Sequence, residues 1–190
     1  MSVGPAVAAA HRCVAAVVRP GDLAVDATAG NGHDTAFLAG LVGPAGRVLA
    51  LDTQAAAVAA TRRRLARAGL AERVLLRQTG HQDLGDAVPA GWPGAVRGVL
   101  FNLGYLPGSD KALVTRPETT RAGLAAAAAL LAPGGRLAVV AYPGHAGGAD
   151  EADAVAKWAE DRAAAGLRRL ADGRSRYGRG PRAARLTVLE

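Results

Sequence analysis

The sequence contains very little cysteine and no long apolar run. Cys13 is the only cysteine among 190 residues, so no disulfide can form within the chain, which is typical of cytoplasmic proteins. A transmembrane helix needs about twenty consecutive apolar residues, and no such run occurs. The first ten residues have no basic start followed by a cleavage site, so we expect no secretion signal. The sequence therefore predicts a cytoplasmic protein without a membrane span.

Two kinds of binding motif are also missing. The cysteine and the histidines do not have the spacing of metal ligands, so we expect no metal site. Gly30 and Gly32 begin a glycine motif, but Thr35 occupies the position where a dinucleotide fingerprint has its third glycine. These absences disfavour a metalloenzyme and a nicotinamide oxidoreductase.

Positive charge is plentiful and comes almost entirely from arginine. The formal net charge is +7 and the pI is about 10.7, a balance that favours a polyanionic partner such as nucleic acid. A solvated helix face is the alternative interpretation. The arginines concentrate in two clusters: Arg62, Arg63, Arg64, Arg67, Arg73 and Arg77, and then Arg168, Arg169, Arg174, Arg176, Arg179, Arg182 and Arg185.

A short glycine loop near the N-terminus predicts a nucleotide-type cofactor site. An apolar strand ends in Asp26, and Gly30 and Gly32 follow in a D-x-x-x-G-x-G pattern before a new helix. Glycines let a ligand approach bare backbone amides at the start of a helix. Asp52 ends the next strand, where a carboxylate can accept both hydroxyls of a ribose. This spacing resembles the first motif of class I S-adenosylmethionine-dependent methyltransferases.

Strand and helix patterns alternate along the chain. They predict an α/β fold with a seven-stranded, mostly parallel sheet, helices on both faces and a single domain over residues 1–190. Together with the resemblance of the glycine motif, this implies a Rossmann-like class I methyltransferase fold. Ligands of such sheets bind beyond the carboxyl ends of the strands. The predicted helices cover 4–18, 33–42, 53–68, 118–131 and 150–165, and the predicted strands 23–26, 47–52, 73–77, 97–102, 136–141, 167–171 and 184–189.

The loop after the fourth strand predicts an amine substrate. Asn102 and Tyr105 have the spacing of the N-P-P-Y loop of amine-directed methyltransferases, although Leu-Gly replaces the two prolines. The Asn102 side-chain oxygen can accept a hydrogen bond from an amine and so turn its lone pair toward the methyl donor. Tyr105 can stack on a base. A plain structural turn is the alternative interpretation.

The histidines divide by position. His145 follows the fifth strand and is the candidate for proton transfer on the substrate side. His33 begins the helix after the glycine loop, where it can contact cofactor or substrate. His81 and Gln82 follow the third strand, where class I enzymes hold the adenine. His11 lies in the first helix, where we expect a packing or surface role.

Several blocks together resemble one bacterial family, the rRNA methylases, whose members are understood to be tRNA wobble-uridine methyltransferases. The blocks cover 26–34, 101–111, 114–120 and 144–148. The resemblance implies N-methylation of 5-aminomethyl(-2-thio)uridine with S-adenosylmethionine, the tRNA anticodon stem-loop as partner, and a homodimer. It implies cofactor contacts at Asp26, Thr28, Gly30, Asn31, Gly32, Asp52, Gln54, His81, Gln82 and Asn102, and substrate contacts at Asn102, Tyr105, Lys111, Tyr142 and His145.

Other functions stay open at this point. The chain could methylate a different amine, on rRNA or on a small molecule, or it could be a non-catalytic RNA-binding module. The basic clusters favour RNA over a small molecule, and intact cofactor-site residues favour an enzyme. We expect Arg179 and Arg182, in the C-terminal cluster, to contact the RNA.

Overall fold

A single seven-stranded sheet organises the described parts of the chain. The computed structural model describes residues 4–104, 115–177 and 183–190, except for the side chains of 172–176. The strands are β1 (Leu23–Asp26), β2 (Arg47–Asp52), β3 (Val74–Gln78), β4 (Val96–Asn102), β5 (Leu131–Ala141), β6 (Arg169–Tyr177) and β7 (Ala184–Leu189). The α-helices are α1 (Pro5–Ala15), α2 (His33–Val42), α3 (Ala55–Arg67), α4 (Leu84–Ala87), α5 (Pro117–Leu130) and α6 (Gly148–Ala164).

The strand order places β1 and β4 side by side at the centre of the sheet. The order is β3-β2-β1-β4-β5-β7-β6. The first five strands are parallel, and β7 runs antiparallel to both β5 and β6. The chain order reverses direction between β1 and β4, and a crevice forms at such a switch point beyond the carboxyl ends of the strands. The predicted fold class, including helices on both faces, is confirmed.

Neighbouring residues of the central strands β1 and β4 pack into two separate cores. Val25 and Phe101 belong to one core, together with residues of α5 and α6. Ala24 and Leu100, their neighbours in sequence, belong to the other core with residues of α1 and α2. Because successive strand residues point to opposite faces, this alternation means that helices cover both faces. The buried sheet gives the loops at its carboxyl edge a rigid base.

Some boundaries differ from those predicted, and the first helix, predicted over 4–18, ends at Ala15. The strand predicted at 136–141 starts earlier, because Leu131 already pairs with Val96 ahead of an irregularity in the register. The strand predicted at 167–171 lies instead at Arg169–Tyr177, where backbone pairing with β7 extends it through a polar segment without apolar alternation. Residues 79–95, between β3 and β4, contain a 3-10 turn (His81–Asp83) and the short helix α4.

Candidate functional site

The carboxyl ends of β1 to β5 surround one large cavity. Its volume is about 810 Å³, which suits a small-molecule ligand with room for a second reacting group. The cavity has two sides. The loop side consists of residues 28–31, 52–54 and 79–82, and the β4 side consists of Asp34, Asn102, Leu103, Gly104, Thr115, Arg116, Thr119, Tyr142, Gly144 and His145.

The glycine loop between β1 and α2 closes the loop side. Gly30 and Gly32 have φ angles of 52° and 76°, a region that favours glycine. A Cβ atom added at Gly32 would lie 2.9 Å from the Thr61 Cα and Oγ1 atoms. The Thr61 hydroxyl also donates a hydrogen bond to the Gly30 carbonyl at 3.0 Å. Helix α3 therefore packs tightly against the loop, and only glycine fits at position 32.

Asp52 joins the ends of β1 and β2. Its carboxylate accepts hydrogen bonds from the Gly30 amide at 2.8 Å and from the Gln54 amide at 2.9 Å. Two backbone amides thus fix the orientation of this carboxylate, which lines the cavity. A carboxylate can accept further hydrogen bonds at the same time. Asp52 is therefore available to a ligand hydroxyl without having to change its conformation.

Asp26 lies behind the loop and is fully buried. It accepts hydrogen bonds from the Thr28 amide at 3.1 Å and from the Thr35 hydroxyl at 2.5 Å. Burial raises the pKa of Asp26 to about 7, with the nearby charge of Asp34 as the second cause. Its role in the structure is to hold the first turn of the loop.

A chain of three polar side chains forms the base of the β4 side. The Asn102 Nδ2 atom donates a hydrogen bond to Asp34 Oδ2 at 3.1 Å, and His11 Nε2 lies 2.8 Å from Asp34 Oδ1. The Asn102 backbone amide donates to the Thr28 hydroxyl at 2.7 Å, which links these three side chains to the glycine loop. Since an ionised carboxylate can only accept hydrogen bonds, the amide nitrogen of Asn102 must face Asp34. The amide oxygen of Asn102 is then the group left for a ligand.

Charge and burial keep two histidines neutral. Burial, followed by the nearby Arg64 guanidinium, lowers the pKa of His33, and His33 Nε2 accepts a hydrogen bond from Arg64 at 2.9 Å. Burial lowers the pKa of His81 to about 4, and its ring packs edge-on against Phe101. A neutral His81 at the cavity wall suits an uncharged heterocycle better than an anion.

Tyr142 and His145 form the far wall of the β4 side. A Cβ atom added at Gly104 would lie 3.6 Å from His145 Nε2 and 3.8 Å from Tyr142 Cδ2, so Gly104 lies beside both side chains. His145 Nδ1 lies 3.0 Å from the Ala146 carbonyl oxygen and donates to it. Burial, followed by the charge of Asp34, raises the pKa of Tyr142, which therefore stays a neutral hydrogen-bond donor.

Known proteins share this sequence pattern and this fold. The family model described as "Putative rRNA methylase" matches residues 48–168, which is more than half of the chain. The chain belongs to this family. A crystal structure from Clostridium thermocellum with the same description is 36% identical, has a TM-score of 0.85, and covers 100% of this chain and 99% of that chain.

Two other relatives of this rRNA methylase family protein extend the comparison. A Streptococcus mutans protein described as a methyltransferase, solved in complex with S-adenosylhomocysteine, is 30% identical with a TM-score of 0.85, and the match covers 100% of this chain and 99% of that one. A chloroplastic tRNA (mnm(5)s(2)U34)-methyltransferase from Arabidopsis thaliana is 40% identical over 154 residues, or 77% of this chain. The match spans 56% of the Arabidopsis protein. The predicted enzyme class, an S-adenosylmethionine-dependent methyltransferase, and the predicted cofactor are confirmed.

The residues of the cavity fit this cofactor. Asp52, fixed by two amides, offers acceptors for ribose hydroxyls, and the open loop at Gly30 allows close approach of a ligand to the backbone. Asp34 and Asp52 give the wall two carboxylates, which favour a positively charged ligand such as a sulfonium. S-adenosylmethionine supplies an activated methyl group. In the described ranges, no group of three or more histidine, cysteine or acidic side chains is arranged to hold a metal ion.

Most of the predicted site residues meet at this cavity. Two predicted cofactor residues, Asp26 and Gly32, are not part of its lining and support the loop from behind, so their contact with the cofactor stays a prediction. Tyr105 and Lys111, and likewise Arg179 and Arg182, lie outside the described residues. The predicted residues that line the cavity are Thr28, Gly30, Asn31, His33, Asp52, Gln54, His81, Gln82, Asn102, Tyr142 and His145.

Sequence reasoning assigned no role to several lining residues. Asp34 belongs to the block 26–34 that resembles the family. Its position also indicates a function, since it is the only acidic residue of the largely apolar helix α2. Thr115 lines the cavity and donates a hydrogen bond to the buried Glu151 at 2.7 Å. Glu151 also accepts from Thr120 at 2.7 Å, which ties α5 to α6. Nothing local in the sequence links residues 115 and 151, so this contact depends on the fold.

Proposed function

We propose that this chain transfers a methyl group from S-adenosylmethionine to the 5-aminomethyl group of 5-aminomethyl(-2-thio)uridine at the wobble position of tRNA. One observation carries the proposal. Asn102 lies at the cavity wall, and its amide nitrogen donates a hydrogen bond to Asp34. Its amide oxygen is therefore an acceptor for the N–H of an amine. The description of the Arabidopsis relative names the same nucleotide.

In this proposal the two sides of the cavity have separate tasks. The loop side holds the cofactor through the Gly30 loop and Asp52. The β4 side holds the amine, whose nitrogen lone pair must point at the methyl carbon. Such alignment is the main contribution that a methyltransferase needs to make, because the sulfonium is already a good leaving group. Tyr142 and His145 are near enough to the same wall to contact the uridine.

An arginine-rich face beside the cavity supports an RNA substrate. Arg62, Arg63 and Arg67 on α3 are exposed, and none of them pairs with an acidic side chain among the described residues. Arg64 connects this face to the cavity, since its Nε donates to the Asn31 carbonyl at 2.7 Å and its guanidinium contacts His33. We propose that the RNA backbone crosses α3 on its way to the cavity, because unpaired guanidinium groups bind phosphates well.

We also propose roles for residues outside the described ranges. We propose stacking of the uridine on Tyr105, and contacts of Lys111, Arg179 and Arg182 with the tRNA anticodon stem-loop. A homodimer working in the cytoplasm completes the proposal. None of the helices in the described ranges combines the length and apolar character that a bilayer-spanning segment needs.

The test is a methyl-transfer assay with labelled S-adenosylmethionine and tRNA from cells that stop at the aminomethyl stage. Nucleoside mass spectrometry should find one added methyl on the wobble aminomethyluridine. The same tRNA lacking the aminomethyl group is the control and should stay unlabelled. Cofactor binding without any label on tRNA would contradict the proposal, and the substrate would then be sought among rRNA and small amines.

A further inference from the structure

Asp34 lines the cavity, and each of its carboxylate oxygens has a side-chain hydrogen-bond partner. It is the second residue of α2 and is 6% exposed. One carboxylate oxygen is 2.8 Å from His11 Nε2 and the other accepts from Asn102 Nδ2 at 3.1 Å. Burying a carboxylate is costly unless it is paired, and the fold provides two partners from distant parts of the chain. Such an arrangement needs a reason beyond packing.

His11 holds Asp34 in place from the side away from the cavity. Its ring stacks on Phe37 with centroids 3.8 Å apart and planes 3° apart. Because the ionised Asp34 can only accept, His11 Nε2 must carry the proton of this hydrogen bond. The stacked ring thus points an N–H at Asp34 Oδ1, and Asp34 Oδ2 in turn orients the Asn102 amide.

The other groups that face Asp34 define its charge environment. The negative charge of Asp34 contributes to the raised pKa of Asp26 on β1 and of the Tyr142 hydroxyl at the end of β5. His33, its neighbour on α2, is neutral and bonded to Arg64. Within the part of the chain that the structure describes, no lysine or arginine forms an ion pair with Asp34. A cation entering the cavity would therefore meet a carboxylate whose charge no arginine or lysine neutralises.

We propose that Asp34, held by His11, fixes the Asn102 amide with its oxygen toward the methyl acceptor and stabilises the positive charge that develops on the acceptor nitrogen. This inference rests on the amine substrate of the proposed function. A primary alkylamine is mostly protonated at neutral pH, so a carboxylate also favours its binding. Asp34 would contact the substrate directly, and His11 would act as a positioning residue.

The chemistry balances without a further reactant. The bound ammonium first releases one proton to solvent, which frees the nitrogen lone pair. That lone pair forms the new N–C bond while the C–S bond breaks, and the electron pair of the C–S bond stays on sulfur as S-adenosylhomocysteine. Positive charge therefore moves from sulfur to nitrogen during the transfer. A carboxylate on the nitrogen side stabilises the transition state more than the ground state.

The decisive variant is Asp34→Asn, which keeps the size of the side chain but removes its charge and replaces one of its two acceptor oxygens with an NH2 donor. We expect the plateau kcat for aminomethyl tRNA to fall roughly 100-fold, while the affinity for S-adenosylhomocysteine stays within about twofold of wild type. Asp161→Asn, at an exposed α6 position that pairs with Lys157, is the matched control and should behave as wild type.

The pH profile separates this role from a structural one. A nearby carboxylate raises the pKa of the bound ammonium, so its loss should lower that pKa. The acidic limb of the kcat profile should therefore move to lower pH in Asp34→Asn, by about one pH unit, even though the plateau falls. Loss of folded protein alone would lower the plateau and leave the limb where it is.

Two His11 variants test the positioning role with Asp34 intact. His11→Gln keeps an N–H donor at the length of the Nε2 atom and should retain most of the activity, whereas His11→Ala should lose about tenfold in kcat. Suppose that the wild-type enzyme methylates aminomethyl tRNA, that Asp34→Asn is equally active, and that the acidic limb of its kcat profile does not move. This result would overturn the inference about Asp34 and leave the proposed function intact. Absence of tRNA methylation by wild-type enzyme that binds S-adenosylhomocysteine would overturn the proposed function and this inference with it.

Discussion

The loop side and the β4 side of the cavity are built in different ways. On the loop side, the Gly30 amide donates to Asp52, and the contributing residues form three short segments that follow β1, β2 and β3. On the β4 side, His11, Asp34 and Asn102 come from α1, α2 and β4 and meet only through side chains. Backbone contacts give a fixed cradle for one conserved type of ligand. Side-chain contacts from several elements give a surface that can be specific for one acceptor.

Breaking the loop side at Asp52 should have the largest effect. Asp52→Ala removes the acceptor of the Gly30 and Gln54 amides and the acceptor for ribose hydroxyls. We expect S-adenosylhomocysteine binding, measured by calorimetry, to weaken about 100-fold or more, since two charge-assisted hydrogen bonds contribute about 3 kcal/mol together. Asp161→Ala is the control. Unchanged affinity would exclude Asp52 from the cofactor site.

Breaking the β4 side at Asn102 should leave cofactor binding intact. Asn102→Ala keeps the backbone amide that donates to Thr28 but removes the amide oxygen offered to the amine. We expect kcat to fall about 30-fold with an unchanged affinity for S-adenosylhomocysteine, because the lost contact orients the nucleophile and not the donor. Single-turnover methylation of tRNA together with calorimetry measures both. Full activity of this variant would refute the amine-holding role.

The two sides also differ in how far the sequence predicts them. The D-x-x-x-G-x-G spacing predicts the glycine loop because these residues act through their neighbours along the chain, and the positive φ angles at Gly30 and Gly32 explain the glycines. Asp52 is predicted from its position at the end of an apolar strand, although its carboxylate accepts from Gly30, 22 positions away. Asp34 and His11 are 23 positions apart. Their pairing depends on the packing of α1 beside α2, and no local pattern encodes that.

Strand boundaries follow the same rule. β1, β2 and β4 are largely buried, apolar runs and begin and end close to where the sequence predicts. β6 lies at the edge of the sheet and is polar, so its bounds depend on backbone pairing with β7. Apolar alternation marks strands that bury side chains and gives no signal where only the backbone is paired.

A smaller effect should distinguish the two arginine clusters. The exposed arginines of α3, Arg62, Arg63 and Arg67, have no acidic partner in the described ranges. Replacing all three with alanine should weaken tRNA binding about tenfold and reduce the slope of log K against log salt by roughly 2 to 3, since each lost phosphate contact removes about one released counterion. Filter binding across a salt series measures both quantities.

The matched control uses three arginines that already have acidic partners. Arg168 pairs with Glu190, Arg169 lies 3.8 Å from Glu160, and Arg185 pairs with Asp153. Their replacement with alanine should change the salt slope by less than one, because paired guanidinium groups bind fewer phosphates. A larger change than that of the α3 variant would move the RNA interface from α3 to the β6–β7 end of the sheet.

The last prediction concerns the pH dependence of protein stability. It involves Asp26, behind the glycine loop, and Asp34, on the β4 side. Burial raises the folded-state pKa of Asp26 from 3.8 to about 7. Between these values the folded protein keeps a proton that the unfolded chain releases, so this residue's contribution to stability falls as the pH rises from about 4 to about 7. Asp26→Asn preserves the acceptor for the Thr28 amide and cannot ionise. Its melting temperature should therefore decrease less than that of wild type between pH 5 and pH 8.

The Asp34→Asn variant tests the same pH dependence of stability in a second way. Its charge is the second cause of the raised pKa of Asp26, after burial, so Asp34→Asn should lower that pKa in part and shift the window of decreasing stability to lower pH. Thermal melts of wild type, Asp26→Asn and Asp34→Asn over one pH series test this together. Parallel curves for all three would mean that Asp26 does not titrate in this range, and that the loop side and the β4 side are not coupled through these two carboxylates.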